Sequence, residues 1–290
     1  MVENLQRITQ GLGGAETNGD SAAPAISADG RYVAFVSAAS NLVEGDTNGV
    51  TDIFVADTTT GTIERVSVAG DGAQANGASG TIDPPGPPVF GLGGRTEDAP
   101  AISGDGRFVA FASDASNLVA GDTNGRRDIF VVDRETDTVE RISVSELGQT
   151  ENGTSTNPAI SADGRFVTFL STADNLVAGD ADGQADVFVL DRQTNDLELV
   201  SGGVDAFTQL EKIDIAKGVP DISADGRFVV FGAGLDQLGP PIETDAELGN
   251  PPNANVGVFV HDRVTGTTTF LSDPDKLNQA GLDTLPFTQP

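Results

Sequence analysis

Nine residues recur four times along the chain, and their copies constrain the fold more than any other feature. Ser27-Ala-Asp-Gly-Arg-Tyr-Val-Ala-Phe35 returns as Ser103-Gly-Asp-Gly-Arg-Phe-Val-Ala-Phe111, Ser161-Ala-Asp-Gly-Arg-Phe-Val-Thr-Phe169 and Ser223-Ala-Asp-Gly-Arg-Phe-Val-Val-Phe231. Self-similarity at a nearly regular period marks an array of like supersecondary units, which bury their faces only by stacking on one another. The 290 residues are therefore expected to form one cooperative body. Such an array more often presents a surface than a catalytic cleft.

With 36 Gly and 15 Pro, and no sustained 3.6-residue apolar period, the expected class is all-β. Each unit reads as four short strands. In the first copy residues 24–27 form a brief strand, Ala28-Asp29-Gly30 supplies a tight turn, and residues 31–37 form the second strand. A long loop leads to residues 52–57, where Ile53, Phe54 and Val55 make the unbroken apolar run of a strand covered on both faces. A turn at Gly61 leads to residues 62–67, where Glu64 and Arg65 interrupt Ile63 and Val66 as at a wet edge. The order recurs at 128–133 with 138–143, at 186–191 with 196–201, and at 258–262 with 267–272.

Four antiparallel strands with a buried third and a wet fourth describe a blade of a β-propeller. Four blades are expected, at about residues 24–67, 100–143, 158–201 and 220–272. The Ser-Ala-Asp-Gly-Arg-Phe-Val-x-Phe motif, the Gly-Asp-x-Asn/Asp-Gly loop and the Asp-Ile/Val-Phe-Val-x-Asp strand together resemble the TolB-like propeller repeat, in the long-loop version of bacterial surface and secreted proteins. The resemblance runs over residues 24–272 and implies a propeller with protein partners, without naming one.

Both ends carry surplus. Leu5-Gln-Arg-Ile-Thr9 matches the fourth strand, so residues 1–9 read as an extra outer strand, and residues 273–290 resemble the start of a next blade. Pro286 follows Ser272 at nearly the spacing by which Pro158 follows Ser143. Besides a four-bladed ring, the surplus allows a segment of a larger propeller, or strands exchanged between protomers in a homo-oligomeric ring or filament. Insertions at 68–98 and 234–256, rich in Pro and Gly, read as protruding hairpins or loose covers.

Against 16 Lys plus Arg stand 44 Asp plus Glu, a net charge of −28. That field disfavours nucleic acid and anionic membranes and favours cations. No apolar run is long enough to span a bilayer. Residues 1–5 lack the features of a signal peptide, and the expectation is an extracellular or cell-surface protein whose leader has been removed.

The loop Gly45-Asp-Thr-Asn-Gly-Val-Thr-Asp52 returns at residues 121–128 and 179–186. Oxygen side chains at its first, third and seventh positions, around a Gly, suit a hard cation such as Ca²⁺. The candidate metal ligands are Asp46, Asn48 and Asp52; Asp122, Asn124 and Asp128; and Asp180, Asp182 and Asp186. The competing reading is a turn in which these residues bond local backbone and cap the next strand; it is favoured by Val50, Arg126 and Gln184 at the fifth position, where an EF-hand-type loop has an oxygen.

Asp29, Asp105, Asp163 and Asp225 are expected to be turn residues, and Arg31, Arg107, Arg165 and Arg227 to pair with local acids rather than form an anion-binding ring. His261 reads as a tolerated strand residue. Without Cys, and with one His, a nucleophilic triad has no candidate members. Glu243, Asp245 and Glu247 read as a solvated loop rather than a hydrolase site. The sequence thus points to a non-catalytic protein-binding or structural scaffold, steadied by calcium on the metal reading; a self-assembling subunit is the alternative and an acid-residue hydrolase the less favoured third.

Overall fold

The computed structural model describes residues 7–82, 98–145, 148, 151–178, 180, 184–201, 219–234 and 256–271. Among them, sixteen strands form four antiparallel sheets of four. Blade 1 holds β1 (Ser21–Ile26), β2 (Tyr32–Ser37), β3 (Asp52–Asp57) and β4 (Ile63–Arg65); blade 2 holds β5 (Ala101–Ile102), β6 (Phe108–Ser113), β7 (Asp128–Asp133) and β8 (Thr138–Arg141). Blade 3 holds β9 (Ser155–Ile160), β10 (Phe166–Ser171), β11 (Asp186–Asp191) and β12 (Asp196–Leu199); blade 4 holds β13 (Asp221–Ile222), β14 (Phe228–Gly234), β15 (Val256–Asp262) and β16 (Thr267–Phe270). Each sheet runs in chain order, giving the four-bladed all-β propeller architecture that the repeat predicts.

The third strands β3, β7 and β11 are buried along their whole length, as their apolar runs require. First strands begin earlier than expected, at Ser21 and Ser155, because a bulge lengthens them; Ala23 and Asn157 take the strained turn of that bulge at φ 53°. Fourth strands are shorter than expected, β4 ending at Arg65. Residues 7–10 are not in a strand; residues 1–6, 83–97 of the first insertion, 235–255 of the second and the tail from 272 lie outside the described residues.

Blades pack by a fixed polarity. The tilted ring pair Phe111 and Phe130 of blade 2 lies in one cluster with Ala34, Val36, Ile53 and Val55 of blade 1. Phe169 and Phe188 meet Ala110, Ala112, Ile129 and Val131 in the same way, and Phe231 and Phe259 meet Leu170, Val187 and Val189. Each seam joins an aromatic face to an aliphatic one, so alternate residues of one strand serve two interfaces.

A second contact locks the turns. The ring that opens each second strand covers the Asp-Gly turn of the next blade: a Cβ on Gly106 would lie 2.2 Å from Tyr32, one on Gly164 2.2 Å from Phe108, and one on Gly226 2.0 Å from Phe166. These glycines serve twice, since φ of 71–75° also disfavours a side chain. Two guanidinium groups flank each ring. Arg31 and Arg134 lie 4.8 and 4.4 Å from the Tyr32 centroid, Arg107 and Arg192 4.9 and 4.3 Å from Phe108, and Arg165 and Arg263 4.7 and 4.3 Å from Phe166. The arginine of the incoming blade then bonds a glutamate on the outer strand of the blade before: Arg134 to Glu64, Arg192 to Glu140 and Arg263 to Glu198.

The fourth junction lacks every part of this clasp. Gly30 of blade 1 has no atom within 4 Å of a built Cβ. Thr58 follows Asp57 where arginine follows Asp133, Asp191 and Asp262, and Thr269 holds the register place of Glu64, Glu140 and Glu198.

The pair Gly164→Ala and Gly30→Ala isolates the seam contact from backbone strain. Both carry the positive-φ penalty, but only Gly164→Ala must also displace the half-buried Phe108 ring, so it should cost about 1–3 kcal/mol more in urea unfolding. Equal losses would remove the ring-over-glycine contact as a source of stability.

Candidate functional site

The acidic loops come closest to a site. In blade 1 the structure brings Asp46, Asn48 and Asp52 together, and adds an arginine. Arg65, on β4, places Nη1 3.1 Å from Asp46 and 3.9 Å from Asp52. Asn48 donates from Nδ2 to Asp52 Oδ2 at 2.8 Å, and Ser67 donates to Asp52 Oδ1 at 2.5 Å. Burial pushes the Asp46 carboxyl above its ordinary range, and the charge of Asp52 adds to it; burial raises Asp52 as well. A guanidinium thus holds the place of a cation, and Asn48 presents an N–H rather than an oxygen. This donor set does not fit calcium.

Blade 2 repeats the arrangement with Arg141, 3.2 Å from Asp122 and 4.0 Å from Asp128, and with Ser143 donating to Asp128 at 2.7 Å. Asn124 differs: its Nδ2 bonds the carbonyl of Glu151 instead of the aspartate. The Glu151 side chain, 1% exposed, accepts bonds from Ser155 and Ser171 of blade 3 at 2.5 and 3.0 Å. Burial, with the charge of Asp128 beside it, pushes its carboxyl up to about 9. Glu151 Oε1 and Asp128 Oδ2 have no hydrogen-bond donor among the described residues, and one proton on Glu151 satisfies both. That proton replaces the amide hydrogen that Asn48 supplies in blade 1. In blade 3, Ser201 donates to Asp186 at 2.6 Å, while Leu199 occupies the register position of Arg65 and Arg141; Asp182 lies outside the described residues. Among the described residues no group of three His, Cys, Asp or Glu is placed to hold a metal ion.

The other polar candidates are committed to the frame, as expected. Asp29 accepts from Ser27 Oγ at 2.5 Å and from the backbone of Arg31, and Asp105, Asp163 and Asp225 repeat the turn. Arg31, Arg107, Arg165 and Arg227 pair with Asp57, Asp133, Asp191 and Asp262 at 2.6–2.8 Å. The arginine bond holds Asp57, Asp133 and Asp191 down to about 2, and Asp262 is lowered likewise. His261 does more than fill a strand: Nδ1 meets Thr268 at 2.9 Å and Nε2 meets Glu198 of blade 3 at 3.1 Å. Glu243, Asp245 and Glu247 lie outside the described residues.

Sequence reasoning missed a reciprocal asparagine clasp. Asn18 and Asn41, Asn76 and Asn117, and Asn152 and Asn175 bridge the entry of a blade to its long loop, the second member accepting the backbone N–H of the first. The signal was the repeated Asn-Gly pair, for a Cβ on Gly19, Gly77 or Gly153 would lie 2.3–2.6 Å from the facing backbone. It also missed Arg127, which bonds Asp98 at 2.8 Å and Asp114 at 2.7 Å.

These features define the class: a β-propeller repeat protein whose recurring arginines pair with acids within each blade and across its seams. No family model and no curated protein sequence matches the chain. Among solved structures it is similar to TolB from Acinetobacter baumannii (TM-score 0.46, 18% identity, over 89% of this chain and 44% of that one). It is also similar to a putative TolB from Agrobacterium tumefaciens (0.43, 17%, 88% and 81%) and to an oligogalacturonate lyase in complex with manganese (0.48, 13%, 88% and 53%). The chain spans under half of the first of these. The propeller assignment rests on the four sheets and their seams.

Two predictions follow from the acids. Glu151 lies above its ordinary value in the fold, so folding takes up a proton and stability falls as pH rises from about 4.5 to about 9. Asp57, Asp133 and Asp191 act oppositely: their contribution is present above the ordinary aspartate value and is lost as pH falls toward about 2. Melting temperature should therefore peak on the acid side of neutrality, and Glu151→Gln should flatten its alkaline limb; an unchanged limb would rule out the shared proton. Arg65→Met, which strands Asp46 and Asp52 in a buried site, should cost about 3–5 kcal/mol in chemical denaturation, whereas a loss under 1 kcal/mol would show that the guanidinium is not their counter-charge.

Proposed function

We propose that the chain is a non-catalytic binding scaffold of the bacterial cell surface or extracellular space, presenting loops on a rigid array of blades. One observation supports this reading above the others: the acids and arginines that could perform chemistry recur at equivalent places and are bonded to one another across strands and seams, and the single histidine, His261, is bonded across a seam to Glu198. A catalytic centre instead concentrates such groups in one copy and leaves them facing a cleft. The net charge of −28 favours a partner with a basic surface. Calcium enters only as a stabiliser of the third loop, where Asp182 stands in place of Asn48 and Leu199 in place of Arg65.

The test is to incubate the native chain with peptide anilides and oligogalacturonates, and separately to measure its binding to the cell-envelope proteins of a bacterial host by a saturable assay. No turnover with saturable binding to one basic partner is expected. Turnover that tracks the purified chain would overturn the scaffold reading. For calcium, the melting temperature should be higher with the ion than with chelator; no difference removes it from the account.

A further inference from the structure

The outer strand of blade 4 differs from its three counterparts in a property that matters at a sheet edge. Glu64 and Arg65 stand on β4, Glu140 and Arg141 on β8, and Asp196 and Glu198 on β12, whereas β16 reads Thr267-Thr268-Thr269-Phe270 and carries no charge. Charged side chains are the ordinary guard of an edge strand against pairing with another chain, and β16 has no proline to take their place. It lies last in its sheet, with no further strand beside it among the described residues. Thr267 is exposed, and Thr268 and Thr269 are half-buried.

The backbone of β16 offers its alternate residues to a partner on that side. Leu271 N–H donates to the carbonyl of Val258 at 2.8 Å, so in this antiparallel ladder Thr267, Thr269 and Leu271 turn their amides and carbonyls toward β15. Thr268 and Phe270 turn theirs outward. The side chains alternate between the two faces of the sheet. His261 bonds Thr268, its register partner, and also reaches Glu198 of blade 3, which places Thr268 on the seam face and Thr269 on the other.

A second copy of the same edge fits it. When two β16 strands run antiparallel about a two-fold axis beside Thr269, Thr268 of each exchanges backbone bonds with Phe270 of the other, and Thr269 faces Thr269. This register uses both outward-facing residues of the strand. The same axis at the other outer edges would set Glu64, Glu140 or Glu198 against its own copy, because these hold the register place of Thr269. Like charges directly opposite one another oppose strand pairing, whereas opposed threonines favour it. Between two chains of net charge −28, a charge-free edge is also the approach with least local repulsion. A basic strand from another protein would meet no acid on β16. We infer that blade 4 pairs through β16 with β16 of a second copy, edge to edge and with no strand exchanged, so that the two blade 4 sheets become continuous in a weak two-fold dimer. The change that removes the clasp glutamate from blade 4 is thus the one that unguards its edge.

The test is a concentration series of the full-length chain by sedimentation equilibrium, from about 1 µM to about 1 mM, with backbone amide exchange read at both ends. The mass should climb toward that of a dimer, and the Thr268 and Phe270 amides should exchange about ten-fold more slowly at the concentrated end than at the dilute end. Thr269→Glu restores the residue that the other three blades carry at this register, so the fold tolerates it. That variant and Thr269→Lys should each weaken association by about five-fold or more, while an equimolar mixture of the two should associate at least as well as the native chain. A chain that stays monomeric throughout would overturn the proposal, and so would a dimer indifferent to both variants or a mixture no stronger than its components. Amides already slow in the dilute chain would overturn it too, since the edge would then be closed within one molecule. These readouts concern self-association alone and stand apart from the binding reading.

Discussion

A ring laid over a glycine in the next blade is the contact on which the rest of the propeller depends. The Asp-Gly turn must reverse the chain in two residues, which calls for positive φ, and the same missing Cβ makes room for an aromatic ring from the neighbour. One residue type therefore satisfies a local and a tertiary demand together. The arginine that follows each turn lies against its own ring and pairs with the aspartate ending the third strand, so turn, ring and ion pair form one repeated unit. Where the unit is complete, seams are closed in the same way three times.

This arrangement explains how a chain with so large an excess of acid holds a compact fold. Self-repulsion is offset by pairing arginines with carboxylates, at the seams, in the long loops and between the second and third strands of each blade. Glu151 shows the other solution, a proton retained between two buried carboxyls. The blades are consequently alike but not equivalent: blade 1 uses an asparagine amide to satisfy its buried aspartate, and blade 2 uses a protonated carboxyl. Blade 3 places Leu199 where the other two place arginine.

Much of the fold was legible because the repeat stated it four times. Strand order, the Asp-Gly turns and the buried third strands follow directly from Ser27 to Phe35 and from Ile53 to Val55, whose patterns admit no helical period. The local role of Arg31 and its counterparts was also legible, because an aspartate recurs at the end of each third strand. The candidate site was less so. Loop spacing showed that Asp46 and Asp52 would converge, but their counter-charge lies on a different strand, and nothing local marks Arg65 as the residue that fills the space a cation would take. Seam contacts were hidden for the same reason, since Tyr32 meets Gly106 only after the blades stack. Thr58 and Thr269 were visible as departures from the repeat, yet their meaning required the clasp to be seen at the other junctions.

The most direct measurement of the account is a double-mutant cycle at the seam of blades 2 and 3, using Phe108→Leu, Arg192→Met and the two combined, read as unfolding free energies. The account predicts that the two residues act as one unit, with a coupling of about 0.5–2 kcal/mol and a double variant little worse than the more damaging single one. Strict additivity would contradict it, because ring and guanidinium would then contribute independently and the clasp would not be the element that joins the blades.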